Sequence, residues 1–392
     1  MLRHTLIGLM ALTQMAAADP VPQGPKNVPE FQPEWPLQTR APAMQSGVRL
    51  QVDVLAKGLD HPWGIAVLPG GGYLVTEREG RLRMIDDAGL GAPIAGVPPV
   101  DARKQGGLLD VALAENFVTS RVVFLTYAKA LGDGKTATAA ARAVLSADGT
   151  ALKDVQEIFV QTPPSRTPMH YGSRVIPQGG YVYVTMGEHS ARAERGQAQD
   201  IAKTYGKIVR LTAQGDPVRD NPFIYQGGAA ALVWSTGHRN IQGAAIRPAD
   251  SQLWALEHGP AGGDELNRID KGANYGWPLI SYGQNYDGSP VGSGQPRREG
   301  MVPPRYYWDP VIAPGGMVFY TGDMFRAWSG DVLAASLNPG GLVRLRLEGD
   351  KVTGEERFFA GELRIRDVDI DRDGAILILD DGNGRVLRIT PQ

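Results

Sequence analysis

From Gly47 onward the apolar residues come in short bursts, each closed by a glycine-rich turn. Val48, Leu50, Val52 and Val54 alternate with Arg49, Gln51 and Asp53, the period of a half-buried strand. Trp63-Gly64-Ile65-Ala66-Val67-Leu68-Pro69 follows, then a Gly70-Gly71-Gly72 turn and Tyr73-Leu74-Val75-Thr76. A second turn at Glu79-Gly80 leads into Leu82-Arg83-Met84-Ile85. The unit is strand, tight turn, strand, tight turn, strand.

The same shape returns at Gly107–Leu113 with Val122–Tyr127, at Ser173–Pro177 with Tyr181–Thr185, and at Gly243–Pro248 with Leu253–Glu257. It returns again at Gly316–Tyr320 with Asp331–Ala335, and at Arg366–Ile370 with Ala375–Leu379 and Arg385–Ile389. Measured from Trp63, Leu108, Ser173, Gly243, Met317 and Arg366, the six copies are spaced by 45, 65, 70, 74 and 49 residues. A constant core at irregular spacing means loops of varying length inserted on one repeated sheet. The expected fold is all-β, a six-bladed β-propeller of four-stranded antiparallel blades. The strand at Val48–Leu55 should join the last blade and close the ring. Thr136–Leu145 has a helix-like composition but follows the turn Gly132-Asp133-Gly134, and a strand is expected there. Ligands of such a fold sit over the central channel, where loops of several blades converge.

Ahead of the repeats, Arg3 and His4 precede the apolar run Leu6–Leu12, and Ala16-Ala17-Ala18 offers a cleavage site. Residues 1–18 read as a secretory signal peptide, with an apolar run too short to span a bilayer, so a periplasmic or secreted location is expected. Residues 19–46 form a Pro-rich segment, with seven prolines between Asp19 and Pro42, and read as an extended lead-in or linker. The propeller is expected over 47–392. A net charge of −2 without a basic run argues against nucleic acid, and the absence of cysteine excludes disulfides, iron–sulfur clusters and thiolate zinc sites.

Candidate chemistry concentrates in Glu257-His258-Gly259-Pro260-Ala261-Gly262-Gly263-Asp264-Glu265-Leu266-Asn267, continuing to Asn274-Tyr275-Gly276-Trp277-Pro278. Its glycines expose backbone carbonyls beside carboxylates. That all-oxygen set suits a hard cation, Ca²⁺ above all, although an ordinary acidic turn would look similar. His170 stands in a loop before a blade strand and suits a general base at neutral pH, with Glu188 one hairpin away to hold the ring. A hydrogen-bonded structural histidine is the alternative. Gly237-His238-Arg239-Asn240 sets a guanidinium beside an amide, fit for an anion or a surface ion pair. Arg364 and Arg366 should share one face of a strand and require a carboxylate, from Asp367 and its neighbours or from an acidic ligand. His61 reads as structural. No phosphate loop, dinucleotide fingerprint or Gly-x-Ser-x-Gly elbow occurs.

Several motifs together resemble the soluble PQQ-dependent aldose sugar dehydrogenases, the glucose/sorbosone dehydrogenase family, from Gly58 to Pro391. They are Pro62-Trp63-Gly64, Glu77-Arg78-x-Gly80-Arg81-Leu82, Gln105-Gly106-Gly107-Leu108-Leu109-Asp110, Gly237-His238-Arg239-Asn240-x-Gln242-Gly243, the Glu257–Trp277 stretch, Ile312-Ala313-Pro314-x-Gly316-Met317 and Arg364-Ile365-Arg366-Asp367-Val368. The resemblance implies a six-bladed propeller and roles for named residues. His170 would take the proton from the anomeric hydroxyl of an aldose while hydride passes to the quinone C5 of PQQ, giving a lactone. Gln105, Arg239, Asn240, Arg364 and Arg366 would contact PQQ, whose three carboxylates account for the arginines, and Arg239 would also stabilise the reduced quinone oxygen. The carbonyls of Gly259 and Pro260 would hold a catalytic Ca²⁺, and Glu265 with the backbone of Tyr275 a structural one. Glu188 stands where the family usually has Asp behind the base. Asn338 stands where many members have a cofactor-binding Lys, and it cannot pair with a carboxylate as a charge. A periplasmic electron acceptor is implied but not encoded, nor is the choice of aldose. Two other functions remain open on the residues: a calcium-dependent lactonase or related hydrolase, and a non-catalytic propeller that binds a sugar or a protein.

Overall fold

Each burst of apolar residues is a strand of a four-stranded antiparallel sheet, and six such sheets build the molecule, a six-bladed β-propeller seen here in a computed structural model describing residues 18–392. The blades span residues 62–93, 108–160, 175–235, 241–308, 314–358 and 365–391, in chain order. Their first strands are Pro62–Val67, Leu108–Leu113, Val175–Gln178, Ile241–Arg247, Pro314–Phe319 and Ile365–Ile370. Each of these packs against the first strand of the blades on either side, so the six line a closed ring around the axis. The sixth blade takes its outermost strand, Leu50–Lys57, from the start of the chain, which locks the ring as expected. That strand is less buried than its alternation implied. Val52 and Val54 are exposed, because only the edge nearest Leu50, Leu55 and Ala56 meets a neighbour. Lys135–Leu145 is a strand, and the one α-helical element among the described residues is the single turn Phe117–Ser120.

The core is not one mass. A separate apolar cluster fills each of the six seams between adjacent blades, for example Leu74 with Val123 between blades 1 and 2, and Trp254 with Phe319 between blades 4 and 5. Burial is thus spread over repeated interfaces, as expected when each sheet can cover its faces only by stacking on its neighbours.

The repeated motifs found in the sequence mark the entrances of the first strands. Five of the six first-strand pairings carry a register break there, at Pro62/Ile65, Leu108/Val111, Ile241/Gly243, Pro314/Met317 and Ile365/Asp367. Bulges of this kind re-aim side chains. The bulged residues Trp63, Gln242 and Arg366 turn toward the mouth of the channel. Beneath them the axis is plugged by Arg174, which bonds Asp110 and Asp367 at 3.0 Å each and donates through Nε to the carbonyl of Gln242 at 2.7 Å. Its guanidinium lies 4.4 Å from the Trp63 ring centroid, and Asp367 also accepts the Ile65 amide. One buried cation therefore ties residues of five blades together.

Of the expected signal peptide, residues 1–17 lie outside the described residues. The Pro-rich segment departs from a free linker, since it lies as a strap along blades 4 and 5. Asp309 accepts the amides of Asn27 and Val28 at 2.8 and 2.9 Å, Gln38 is fully buried against the Pro304 carbonyl, and Met44 bonds the Glu355 carbonyl. Proline-rich chain has few amide donors to satisfy, so blade side chains and carbonyls suffice to hold it.

Candidate active site

Over the plug lies a cavity of 270 Å³, whose lining includes His170, Arg239, Asn240, Gln105, Arg364 and Arg366 from separate loops. The structure thus brings together the expected base and most of the residues expected to contact a cofactor. His170 and Arg239 face the same space above the axis. Glu188 stands behind the base. Asn338 does not reach the cavity: it is exposed, and Leu337 lines the wall instead.

His170 is held from several sides. Its Nδ1 lies 3.0 Å from Glu188 Oε1, which fixes Nδ1 as the protonated nitrogen and leaves Nε2 without a protein partner. Glu188 is fully buried, and its other oxygen accepts the Ser190 amide at 2.6 Å. The His170 amide donates to the Gln105 side chain at 2.8 Å, so Gln105 places the loop as well as lining the cavity. Burial, then Arg239, depresses the imidazole pKa below 6.5 despite Glu188. The ring is neutral at pH 7, the state a base requires. Glu188 is pushed up by burial but pulled further down by the hydrogen bond from His170, and it stays a carboxylate. Backbone strain collects in the loops around the site, with φ near 48° at His170, 61° at His189, 67° at Ser190 and 45° at Ala313, a left-handed region that such residues seldom adopt. Gly187 makes the loop's close packing possible, since a Cβ there would lie 1.9 Å from the His170 carbonyl oxygen.

The walls are cationic. Arg78, Arg239, Arg364 and Arg366 line the cavity, and no carboxylate does. Arg364 and Arg366 share Asp381, at 2.9 and 3.7 Å, rather than Asp367, which belongs to the plug. They reach one cavity for a reason other than strand alternation: Arg364 precedes the strand and Arg366 is its bulged residue. Arg366 is buried, bonds Gln242 Oε1 at 2.8 Å, and has its pKa drawn down to about 10, chiefly by burial, with Arg364, Arg78 and Arg174 adding repulsion against Asp381. Arg78 is bound only by carbonyls, those of Gly106 and Lys104. Arg239 also has no carboxylate on its guanidinium, which donates to the carbonyls of Gly259 at 2.7 Å and His258 at 3.1 Å. The Nε atoms of Arg239 and Arg366 are buried without an acceptor. Unmet buried donors of this kind favour an anionic ligand.

The Glu257–Trp277 stretch forms the wall beside Arg239. Asp264 accepts the amides of Gly259, Ile312 and Ala313 at 2.7–2.8 Å and joins that loop to blade 5. Among the described residues no three His, Cys, Asp or Glu side chains are grouped to hold a metal. A calcium ion at Gly259 and Pro260 would therefore rest on backbone carbonyls, and Arg239 already uses one lone pair of the Gly259 oxygen. Glu265, Tyr275 and Glu257 border a second, small cavity that Gly259 and Arg239 line as well. Desolvation, then Glu257, lifts the Glu265 carboxyl well above its ordinary range, a charge imbalance that a cation would relieve. The residues at both places fit a hard cation.

Trp63, Arg78, Gln242 and Tyr286 also line the main cavity, without a site role expected from the sequence. The first three lie in motifs already noted. Tyr286, in a polar loop, carries no local signal.

The chain matches the family profile of the glucose/sorbosone dehydrogenases over residues 59–388. It belongs to that family. The aldose sugar dehydrogenase YliI of Escherichia coli K12 is 42% identical over 353 residues, 88% of this chain and 93% of that protein. The crystal structure of the soluble aldose sugar dehydrogenase of E. coli in its apo-form superposes with a TM-score of 0.84 at 41% identity, covering 88% of this chain and all of the other. The PQQ-bound aldose sugar dehydrogenase of Streptomyces coelicolor gives a TM-score of 0.71 at 28% identity, covering 88% and 99%. Membership supports sugar oxidation as the chemistry.

Proposed function

We propose that this family member oxidises the anomeric carbon of aldose sugars to lactones with PQQ as acceptor and calcium as the accompanying ion, in the periplasm or outside the cell. The carrying observation is the cavity lining: four guanidiniums, no carboxylate, and the imidazole of His170 oriented by a buried glutamate. A sugar is uncharged and needs no such field, whereas a tricarboxylate quinone does. The PQQ-bound relative from S. coelicolor agrees with this reading.

When bound, PQQ supplies a quinone able to accept hydride, and calcium polarises it. Arg239, Arg364 and Arg366 would hold its carboxylates and quinone oxygen, with Gln105 and Asn240 as polar contacts. The carbonyls of Gly259 and Pro260 would take the catalytic ion, and Glu265 with Tyr275 a structural one. His170 Nε2 takes the proton of the anomeric hydroxyl as hydride leaves the same carbon, and Glu188 stabilises the imidazolium that results. Asn240 Oδ1 accepts the Gly172 amide at 3.0 Å and so ties the base-bearing loop to the arginine-bearing one.

A calcium-dependent lactonase would use the ion and His170 but would have no use for the guanidiniums. The test adds PQQ and Ca²⁺ to the ligand-free protein and follows aldose-dependent bleaching of a redox dye, with the PQQ absorbance recorded before and after sugar. Bleaching across part of an aldose panel is expected. No bleaching, together with lactone hydrolysis, would transfer the site to the hydrolase reading.

A further inference from the structure

Deep in the cavity the lining is polar and cationic, and its floor is the buried ring of Trp63. At its mouth stands Tyr286, 75% exposed. A single exposed aromatic is ordinary on a protein surface and means nothing by itself. Tyr286 differs because it is pinned. The turn Asn285–Ser289 is closed by Asn285 N to Ser289 O at 2.9 Å. Asn285 accepts from Arg195 at 2.8 Å and Asp287 from Arg192 at 2.9 Å, which fastens the turn to the loop after Glu188. On the other side Gln284 pairs with Ala261 through two backbone bonds of 2.9 and 3.0 Å, next to the Gly259 carbonyl. The phenol oxygen lies 3.5 Å from Arg239 Nη2. The turn that carries this exposed ring is thus clamped between the loop behind the base and the loop beside the guanidinium.

A pyranose carries hydroxyls around its edge and apolar C–H groups on its faces. Such a face gains by lying on an aromatic ring, whose π-surface is electron-rich, while the phenol hydroxyl exchanges a hydrogen bond with the sugar's edge. We propose that Tyr286 is the platform on which the aldose ring rests while its anomeric hydroxyl reaches His170, and that it therefore sets specificity among sugars by the disposition of their hydroxyls. This rests on the sugar-oxidising reading above. A sugar with an unbroken C–H face, such as β-D-glucopyranose, gains more from the platform than one with an axial hydroxyl across that face, such as D-mannose.

The test uses the full chain reconstituted with PQQ and Ca²⁺. Tyr286→Ala should raise KM for D-glucose roughly 3- to 10-fold with a smaller change in kcat, and should narrow the glucose-to-mannose ratio of kcat/KM. Tyr286→Phe should keep KM within about threefold. Saturation-transfer NMR of D-glucose over the ligand-free protein reads the contact without turnover: the ring C–H signals should weaken in the Ala variant and persist in the Phe variant. An unchanged KM, equal NMR signals in wild type and Ala variant, or a KM rise that vanishes at higher PQQ concentration overturns the platform. If the wild type oxidises no aldose, the functional reading falls and takes this inference with it. If the wild type is active and the Ala variant matches it, the platform alone falls.

Discussion

Arg366→Met separates a cost of folding from a gain in binding. The guanidinium is buried with its pKa drawn down to about 10. Against an ordinary 12.5, that is roughly 3 kcal/mol held against the charged form. Few partners are lost on its removal. Gln242 Oε1 keeps a contact with His258 Nε2 at 3.2 Å, and Asp381 keeps Arg364 at 2.9 Å and His61 at 3.2 Å. Subtracting ~1 kcal/mol for the hydrogen bond to Gln242 leaves a net stabilisation of ~2 kcal/mol in the ligand-free protein. With an unfolding entropy of about 2.1 cal/mol/K per residue over a propeller of this size, the melting temperature should rise by ~3 °C. Affinity for PQQ should move the other way, falling about 30- to 150-fold for one lost charge-assisted contact of ~2–3 kcal/mol. Differential scanning calorimetry of the ligand-free variant and a tryptophan-fluorescence titration with PQQ check the two halves separately. A ligand-free melting temperature lower by several degrees would show that Arg366 is a structural ion rather than one waiting for an anion, and the charge argument would fail.

His170→Ala should keep PQQ affinity within a few-fold and lose at least ~100-fold in kcat, read from the same titration and from dye reduction. For the wild type, kcat/KM should be flat above pH 6.5 and fall on the acid side at a pKa below that value, because burial and Arg239 depress the base; a limb centred above pH 7 would contradict the geometry. His189 has its pKa lowered to about 4 by burial, so its contribution to stability, ~3 kcal/mol, is complete above pH 6.5 and lost as pH falls from 6.5 toward 4, when the unfolded chain takes up the proton first; melting temperature against pH measures it. Arg174→Leu leaves Asp110 and Asp367 buried and unpaired and should cost about 3–5 kcal/mol, a fall of ~4–7 °C, with partial rescue by Asp110→Asn. Gly187→Ala should abolish turnover while leaving the far-ultraviolet circular dichroism intact, because the clash falls on the His170 carbonyl and not on a sheet.

The repeat was legible because a blade is a local object: apolar alternation and turn glycines are written within a few residues of one another. The base and its support were legible for a similar reason, since Glu188 and His170 flank one hairpin. What could not be read was whatever depends on a bulge or on a partner from a distant blade. Alternation alone puts Arg364 and Arg366 on one strand face with Asp367 and its neighbours or an acidic ligand to pair them, yet Arg366 lies at the register break, and Asp367 is taken by Arg174, 193 positions away. The Pro-rich segment looked like a linker because its anchors, Asp309, Pro304 and Glu355, lie more than 250 residues further on. Asn338 misled because sequence order gives a position on a loop but not the direction of its side chain.

The axis explains how a chain can keep an upper chamber so positive and still fold. The Trp63 ring centroid lies 4.4 Å from the Arg174 guanidinium of the plug and 6.0 Å from the Arg366 guanidinium of the chamber. Below it, two aspartates surround one arginine, a set with one negative charge in excess. Burial chiefly, with Asp367 adding to it, raises the pKa of Asp110 to about 6 against the pull of Arg174. Seen from the chamber, the same excess is a fixed counter-charge beneath the indole that offsets part of the arginine repulsion when no anion is bound. It cannot neutralise the chamber, because one excess negative charge faces four guanidiniums, so the remaining positive charge stays available to a ligand. Replacing the carboxylate with Asp110→Asn removes a charge that burial disfavours, so it should raise the stability of the ligand-free protein at pH 7 and tighten binding of an anion above it, differing in sign from Arg366→Met only in the binding arm if the layers communicate through Trp63. A plug variant that alters stability without touching anion affinity would show that the aspartates serve the ring alone.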